Sequence, residues 1–341
     1  MATASPRRKI IPFRYVEPAK RRATQYEEVT LHSQWDPKNF ATQGWFNRDI
    51  NGRPPWDEAS TALKAEQWWA YRDPSEDWFK PYVTRQAATG NSITEAIEGA
   101  TRARLFDGLL PKWQTFLESD YAAYRYPEYG LFMALSYAQR EALSDVVAGP
   151  LIFQAMEKDR HAQDLALYGM TLEDAIPGFD EGRSKTLWME SPIWQDSRRV
   201  IEYLMASRDW GEINFVINLI YEPLFATLFN RELVLRAASR HGDTVAAVIA
   251  EGAEKDRPHR QGSAVALVRF LFSADPDNRA VMNGWIEQWT PLVTNATDSL
   301  APLFEATDIQ VQTFAEARQV VFEQWQTLMR DCDLDAAGAY A

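Results

Sequence analysis

The chain has 341 residues, of which 46% are apolar and 13% aromatic, with 13 Trp and only 16 Gly. That is enough apolar material for a sizeable core, and sparse glycine beside abundant Ala, Leu, Glu and Gln argues for helices and against a turn-rich β protein. A single cysteine, Cys332, excludes disulfides within the chain and a cysteine-built metal site. No run of about 18 uninterrupted apolar residues marks a membrane span, so the expected setting is the cytosol.

Formal net charge is −12, unevenly placed. The first 24 residues hold seven Lys or Arg against one acid, Glu17, which leaves 29 basic and 47 acidic residues, a balance of −18, in the body. A basic arm on an acidic body suits nucleic acid or an acidic protein surface. The body would repel a phosphate backbone, so the protein surface is favoured. Neither a nucleic-acid nor a membrane partner is expected.

In chain order, residues 1–55 read as an extended N-terminal arm, punctuated by Pro6, Pro12, Pro18, Pro37, Pro54 and Pro55. Its aromatics, among them Phe13, Tyr26, Trp35, Trp45 and Trp56, are too many for a disordered tail and predict docking on the body or on a partner. Residues 56–341 read as one helical domain. Asp73-Pro74 has the form of an N-cap followed by a first-turn proline. Ser92-Ile-Thr-Glu95 has the form of a capping box opening the next helix, which runs to about Leu109. Pro111 restarts the chain through Trp113 and Phe116. Residues 128–146 and 150–169 are predicted as two long helices hinged at Gly149-Pro150, the first with Leu131, Leu135, Ala138 and Ala142 at helical spacing. Shorter runs around Pro192 fill 172–208. A second long pair, 209–239 and 243–273, meets at His241-Gly242. Residues 277–306 and 308–331 follow, and the acidic C-terminus is expected to fray. The fold class is all-α, built of long antiparallel helices.

One block occurs twice. Glu157-Lys158-Asp159-Arg160-His161 returns as Glu254-Lys255-Asp256-Arg257-Pro258, 97 residues later, each time in a helical segment. That suggests a duplicated helix pair. In ferritin-like bundles that hold two irons, two helices carry Glu-x-x-His and two others one Glu each. Here the registers read Lys158-x-x-His161 and Lys255-x-x-Pro258, or, shifted by one, Glu157-x-x-Arg160 and Glu254-x-x-Arg257. Neither supplies the ligand pair twice, and a lysine ammonium cannot ligate iron. Glu222, in the apolar run Leu219-Ile-Tyr-Glu-Pro-Leu-Phe, suits a ligand-type position on a partner helix. The plain alternatives are a solvated charged face for the doubled string and a satisfied core carboxylate for Glu222. There is no phosphate loop, HExxH or GxSxG.

With these residues on the page, the chain resembles the small (β) hydroxylase subunit of bacterial soluble di-iron monooxygenases, most of all the propane or alkane group. Arg22-Ala-Thr-Gln-Tyr26-Glu-Glu-Val-Thr30, the run from Trp68-Trp-Ala-Tyr-Arg72-Asp-Pro to Trp78-Phe-Lys-Pro81-Tyr-Val, and Arg160-His161-Ala-Gln163 carry the likeness, over roughly residues 20–330. The resemblance implies a ferritin-like bundle with additional helices and no cofactor of its own. It implies a larger catalytic subunit holding the di-iron centre, two large and two small subunits together. It also implies a coupling protein, a reductase with FAD and iron–sulfur, and NADH- and O2-dependent hydroxylation of a hydrocarbon. By carry-over Lys158, His161, Glu222 and Lys255 mark vestigial metal-site positions, with no catalytic or metal-binding residue in this chain. Two other readings stay open: an unusual di-iron oxygenase in its own right, and a stand-alone helical interaction protein using its basic arm.

Overall fold

The structure is a computed structural model, and it describes residues 18, 20, 22–30, 52 and 57–335. Among these residues every regular element is helical. Helix α1 spans Gln25–Thr30, α2 Phe79–Ala103, α3 Pro111–Phe116, α4 Arg125–Glu141, α5 Asp145–Ala175, α6 Arg183–Glu190 and α7 Pro192–Ala206. Helix α8 opens over Trp210–Val216 and widens into π-helix over Ile217–Leu235. Helices α9 (Thr244–Ala274), α10 (Asn278–Asp298) and α11 (Phe314–Asp331) complete the chain.

Four long helices, α4, α5, α8 and α9, form a ferritin-like centre. Gln154 bonds Asn218 and Lys158 bonds Glu222, at the same sequence offset, so α5 and α8 run parallel. Arg260 reaches Glu157 while Asp256 reaches Arg160, so α5 and α9 run antiparallel. Helix α2 packs across α5 and α9, α7 covers α4, and α10 and α11 cover α8. Helix α8 is buried on nearly every side, polar residues included, which suits only a central position. By length and composition Trp210–His241 could cross a membrane, and its most apolar window is 94% buried inside this protein.

The π-helical segment contains a proline, Pro223. Pro223 has no N–H, so in α-helical register the Leu219 carbonyl would lose its partner. In the structure the indole N–H of Trp325, on α11, donates to that carbonyl at 2.6 Å. The neighbouring Glu222 carbonyl accepts from the Thr227 hydroxyl at 2.8 Å and from Arg257 at 2.7 Å.

Several local expectations are corrected. Asp73-Pro74 opens no helix: Asp73 is buried, its carboxylate accepts from Ser75 N–H at 3.3 Å and its carbonyl from Glu76 N–H at 3.0 Å, which makes a turn. Helix α2 starts six residues later, at Phe79. Ser92 sits inside α2 with its hydroxyl donating to the Ala88 carbonyl at 3.0 Å, so it caps nothing. Burial of Ile93 and Ala100 against the core carries the helix through Gly90-Asn91. The hinge between the first long pair lies at Ala142–Ser144, not at Gly149-Pro150; Ser144 caps Val147 N–H, and Pro150 sits within α5. The expected extended arm contributes α1, whose Tyr26 is buried and accepts a bond from Asp73 N–H at 3.3 Å; most of the rest of it, with Phe13, Trp35 and Trp45, lies outside the described residues, as does Trp56. The C-terminus stays packed as far as Cys332 and Leu334, both buried, and residues 336–341 lie outside the described range.

Trp325→Phe keeps most of the buried ring but removes the donor to the Leu219 carbonyl. A loss of about 0.5–1.5 kcal/mol is expected for the lost buried hydrogen bond, read as a lower urea midpoint with an unchanged slope.

Candidate functional site

Each of the four central helices sends a charged side chain inward to one point. Glu128 comes from α4, Glu157, Lys158 and His161 from α5, Glu222 from α8, and Arg260 from α9; all are at most 9% exposed. The Lys158 ammonium lies between two carboxylates. It is 3.2 Å and 3.1 Å from the two Glu128 oxygens and in short contact with Glu222 Oε1. His161 Nδ1 is 3.1 Å from Glu128 Oε2; an ionised carboxylate only accepts, so Nδ1 carries the hydrogen. The other oxygen of Glu222 takes Arg260 at 3.1 Å, and Arg260 also binds Glu157 at 3.0 Å. From Glu157 the chain continues to Arg85 on α2, at 3.7 Å. Charges alternate in sign along the whole line.

Burial alone would raise the Glu128 carboxyl; the Lys158 ammonium and the adjoining His161 outweigh burial and hold it far below the usual carboxylate range. Burial acts on Glu222 in the same sense, and Lys158 and then Arg260 outweigh it, so that carboxyl is also lowered. At Glu157 burial prevails over Arg260, the Asp256 carboxylate adds to it, and the carboxyl is pushed up to about 7.

Of the positions singled out in the sequence, the structure brings together Lys158, His161 and Glu222. Lys255 lies elsewhere, about 59% exposed on the outer face of α9 and paired with Glu251 at 3.1 Å. Pro258 is exposed as well. The inward positions on α9 are Arg257 and Arg260, which repeat the i, i+3 spacing of Lys158 and His161 two residues out of step with the doubled string. Two residues turn an α-helix by about 200°, so the textual match points its lysine to solvent. Sequence reasoning weighed Glu157 only in the Glu157-x-x-Arg160 register and took neither Glu128 nor Arg260 as a site position. Glu128 lies on the same stripe as Leu131, Leu135 and Ala138, and Arg260 on that of Ala264 and Leu267, all buried; a charge on an apolar stripe was the available signal.

The residues do not fit a di-iron centre. A metal pair needs carboxylates and imidazoles converging on open space. Here an ammonium and a guanidinium hold those positions and already satisfy Glu128 and Glu222. Among the described residues no group of three or more His, Cys, Asp or Glu side chains could hold a metal ion.

Ferritin-like bundles that hold two irons also send ionisable side chains inward from all four central helices. A profile of the methane, phenol and alkene hydroxylases matches residues 45–275. The chain is 33% identical over 339 residues to the small subunit of the hydroxylase component of propane 2-monooxygenase from Mycolicibacterium goodii, covering 98% of this chain and 92% of that one. It is 30% identical over 287 residues to the methane monooxygenase component A beta chain of Methylococcus capsulatus, covering 81% and 74%. Phenol hydroxylase from Pseudomonas sp. OX1 shares the fold with a TM-score of 0.77 at 19% identity, covering 97% of this chain and 98% of that one. The chain therefore belongs to the methane, phenol and alkene hydroxylase family, on the side of the small hydroxylase subunits.

Two substitutions test the charge line. Lys158→Met leaves Glu128 and Glu222 facing each other, with an expected loss of about 3–5 kcal/mol near neutral pH. In the wild type the two lowered carboxyls contribute stability that is present above about pH 4.3 and lost as pH falls below it. In the variant both carboxyls rise, so stability should increase as pH drops from about 8 to about 5. Both proteins carry the Glu157 contribution across that range, so urea midpoints should rise more steeply toward pH 5 in the variant than in the wild type; parallel slopes would sink the assignment. Glu157→Gln tests the raised carboxyl. The wild-type contribution is fully present below about pH 4.3 and lost as pH rises through about 7. Glutamine does not titrate, so the variant should gain on the wild type by up to roughly 3 kcal/mol between about pH 5 and pH 8.

Proposed function

We propose that this chain is a non-catalytic small subunit that scaffolds the iron-bearing large subunit of a hydroxylase component. The observation that carries this reading is the Lys158 ammonium between Glu128 and Glu222, with Arg260 on the far oxygen of Glu222. Positions 158, 161 and 222 are a vestigial metal site in which fixed cations have taken over from metal; on α9 the corresponding inward residues are Arg257 and Arg260, in place of Lys255. The bundle keeps the helix geometry of a catalytic paralogue and has lost its chemistry.

The complete system comprises two large and two small subunits, a coupling protein, and a reductase with FAD and iron–sulfur that draws on NADH. It inserts one atom of O2 into a hydrocarbon in the cytosol. A propane-type substrate is favoured because the relatives matched over nearly the whole chain bear that name. The role of this chain is to present a rigid helical surface whose interior is cross-braced by charge. The reading as an independent di-iron oxygenase is disfavoured by the same ammonium and guanidinium, which would repel iron.

Iron analysis of the separately purified chain, grown with ample iron, is expected to find far less than one iron per chain. Co-expression with the large subunit is expected to give a stable hetero-oligomer in which all the iron follows the large subunit. A tightly held pair of irons on the lone chain would overturn the proposal.

A further inference from the structure

A cavity lies where α2, α5, α8 and α9 meet the turn between Tyr71 and Asp77. It offers about 30 Å³ to the centres of water-sized molecules. One water needs roughly 10–15 Å³ on that measure, so two fit. Each of these elements brings a polar group to the wall: Asp73 from the turn, Arg85 from α2, Glu157 from α5, Asn218 from α8 and Arg260 from α9. Much of the polar wall is bonded to itself. Gln154 and Asn218 exchange bonds at 2.6 and 3.0 Å. Ser75 Oγ lies 3.2 Å from His259 Nδ1, and Arg85 holds Asp77 at 2.8 Å.

Glu157 is the exception. It is 3% exposed, and Arg260 occupies its Oε2 at 3.0 Å. Among the described residues no hydrogen bond reaches Oε1, and Arg85 Nη2 stands off at 3.7 Å, beyond bonding range. A buried carboxylate oxygen left without a donor is costly. Because a guanidinium N–H engages Oε2, a proton that relieves this cost belongs on Oε1. Arg260 and Asp256 from α9 and Arg85 and Tyr82 from α2 face the carboxyl. Asp73, Asp77 and His259 share the cavity wall, and α8 adds only amides there, with Glu222 beyond Arg260. Asp77 and Asp256 also draw on Arg85, so one guanidinium is divided among three carboxylates. The rise of the Glu157 carboxyl to about 7, caused first by burial, agrees with this shortage of donors. Burial likewise raises Asp73, to about 6.

We propose that this cavity is a hydrated proton-binding site: Glu157 Oε1 takes up a proton from solvent through water held in the cavity, returns it by the same route, and when ionised draws the Arg85 guanidinium into a bond. The entry lies beside Arg85, whose side chain is 24% exposed where that of Glu157 is 3% exposed. The ligand is a proton and its carrier is water. A metal cation does not suit the place, because Arg85 and Arg260 flank the carboxyl. In the protonated form the Oε1–H donates into the cavity and Arg85 stays with Asp77. In the ionised form Oε1 accepts from Arg85, and one more bond ties α2 to α5. The site belongs to this chain alone and stands apart from the small-subunit reading.

The test is an infrared titration of the full chain between about pH 5 and pH 9, either side of the raised carboxyl. The difference between wild type and Glu157→Gln should show one protonated-carboxyl band that disappears as pH rises through neutrality. Asp73 is present in both proteins and cancels. Arg85→Gln removes a cation and should move the midpoint about one pH unit higher; this variant carries the assignment if Glu157→Gln does not fold. After a pH jump the band should change far faster than the chain unfolds, as access through water requires. Hydrogen exchange of residues 82–86, corrected for intrinsic rates, should be slower above the midpoint than below it, with no such step in Glu157→Gln. A carboxyl with a merely structural role would not produce that step. No titrating band, or one that survives Glu157→Gln, overturns the site. A response to the jump no faster than unfolding overturns the water route, and exchange that is flat with pH overturns the pull on Arg85.

Discussion

The Lys158 ammonium is the contact on which the rest of the bundle depends. It lies where α4, α5 and α8 converge and neutralises one carboxylate from each of its two neighbours. Without it Glu128 and Glu222 would be like charges in a buried interior, answered only by His161 and Arg260. With it, the sign alternation continues outward through Arg260 and Glu157 to Arg85, so five helices share one electrostatic line.

Buried ion pairs of this kind contribute little net stability over well-packed apolar residues. Their effect here is on register. Gln154–Asn218 and Lys158–Glu222 have the same offset, so a one-turn slip of α5 against α8 would break both at once and part Lys158 from Glu222. Arg257, from α9, adds a third lock by binding the carbonyl of Glu222. Register held in this way makes the outside of the bundle predictable from the inside. On α4 Glu128 is clamped in the core, and the next residue, Tyr129, is thereby held on the outer face.

Much of the fold was legible because its causes are local. Apolar residues at helical spacing marked the long helices, and His241-Gly242 marked a true reversal, with Gly242 at φ +82°. The misplaced boundaries share one cause. Asp73-Pro74, Ser92-Glu95 and Gly149-Pro150 all carry end signals, and at each the signal was overruled by packing at a distance. Asp73 is held by Tyr26, α2 by its buried face on the core, and α5 by the Ser144 cap upstream of its proline.

Residue types and spacing alone predicted an all-α fold and showed one charged string carried on two helices, with Lys158 three residues before His161. Three of the converging positions, Lys158, His161 and Glu222, were visible because each departs from an apolar or ligand-like pattern along its own helix. Which cation faces Glu222 from α9 was decided only in three dimensions. A string match counts residues, whereas a helix assigns sides by rotation, and the two-residue offset between Lys255 and Arg257 carries the side chain from solvent to core. The pairing of Glu128 with Lys158, and the exposure of Tyr129 beside it, depend on how two helices far apart in sequence are rotated about their axes, and no stretch of either helix encodes that by itself.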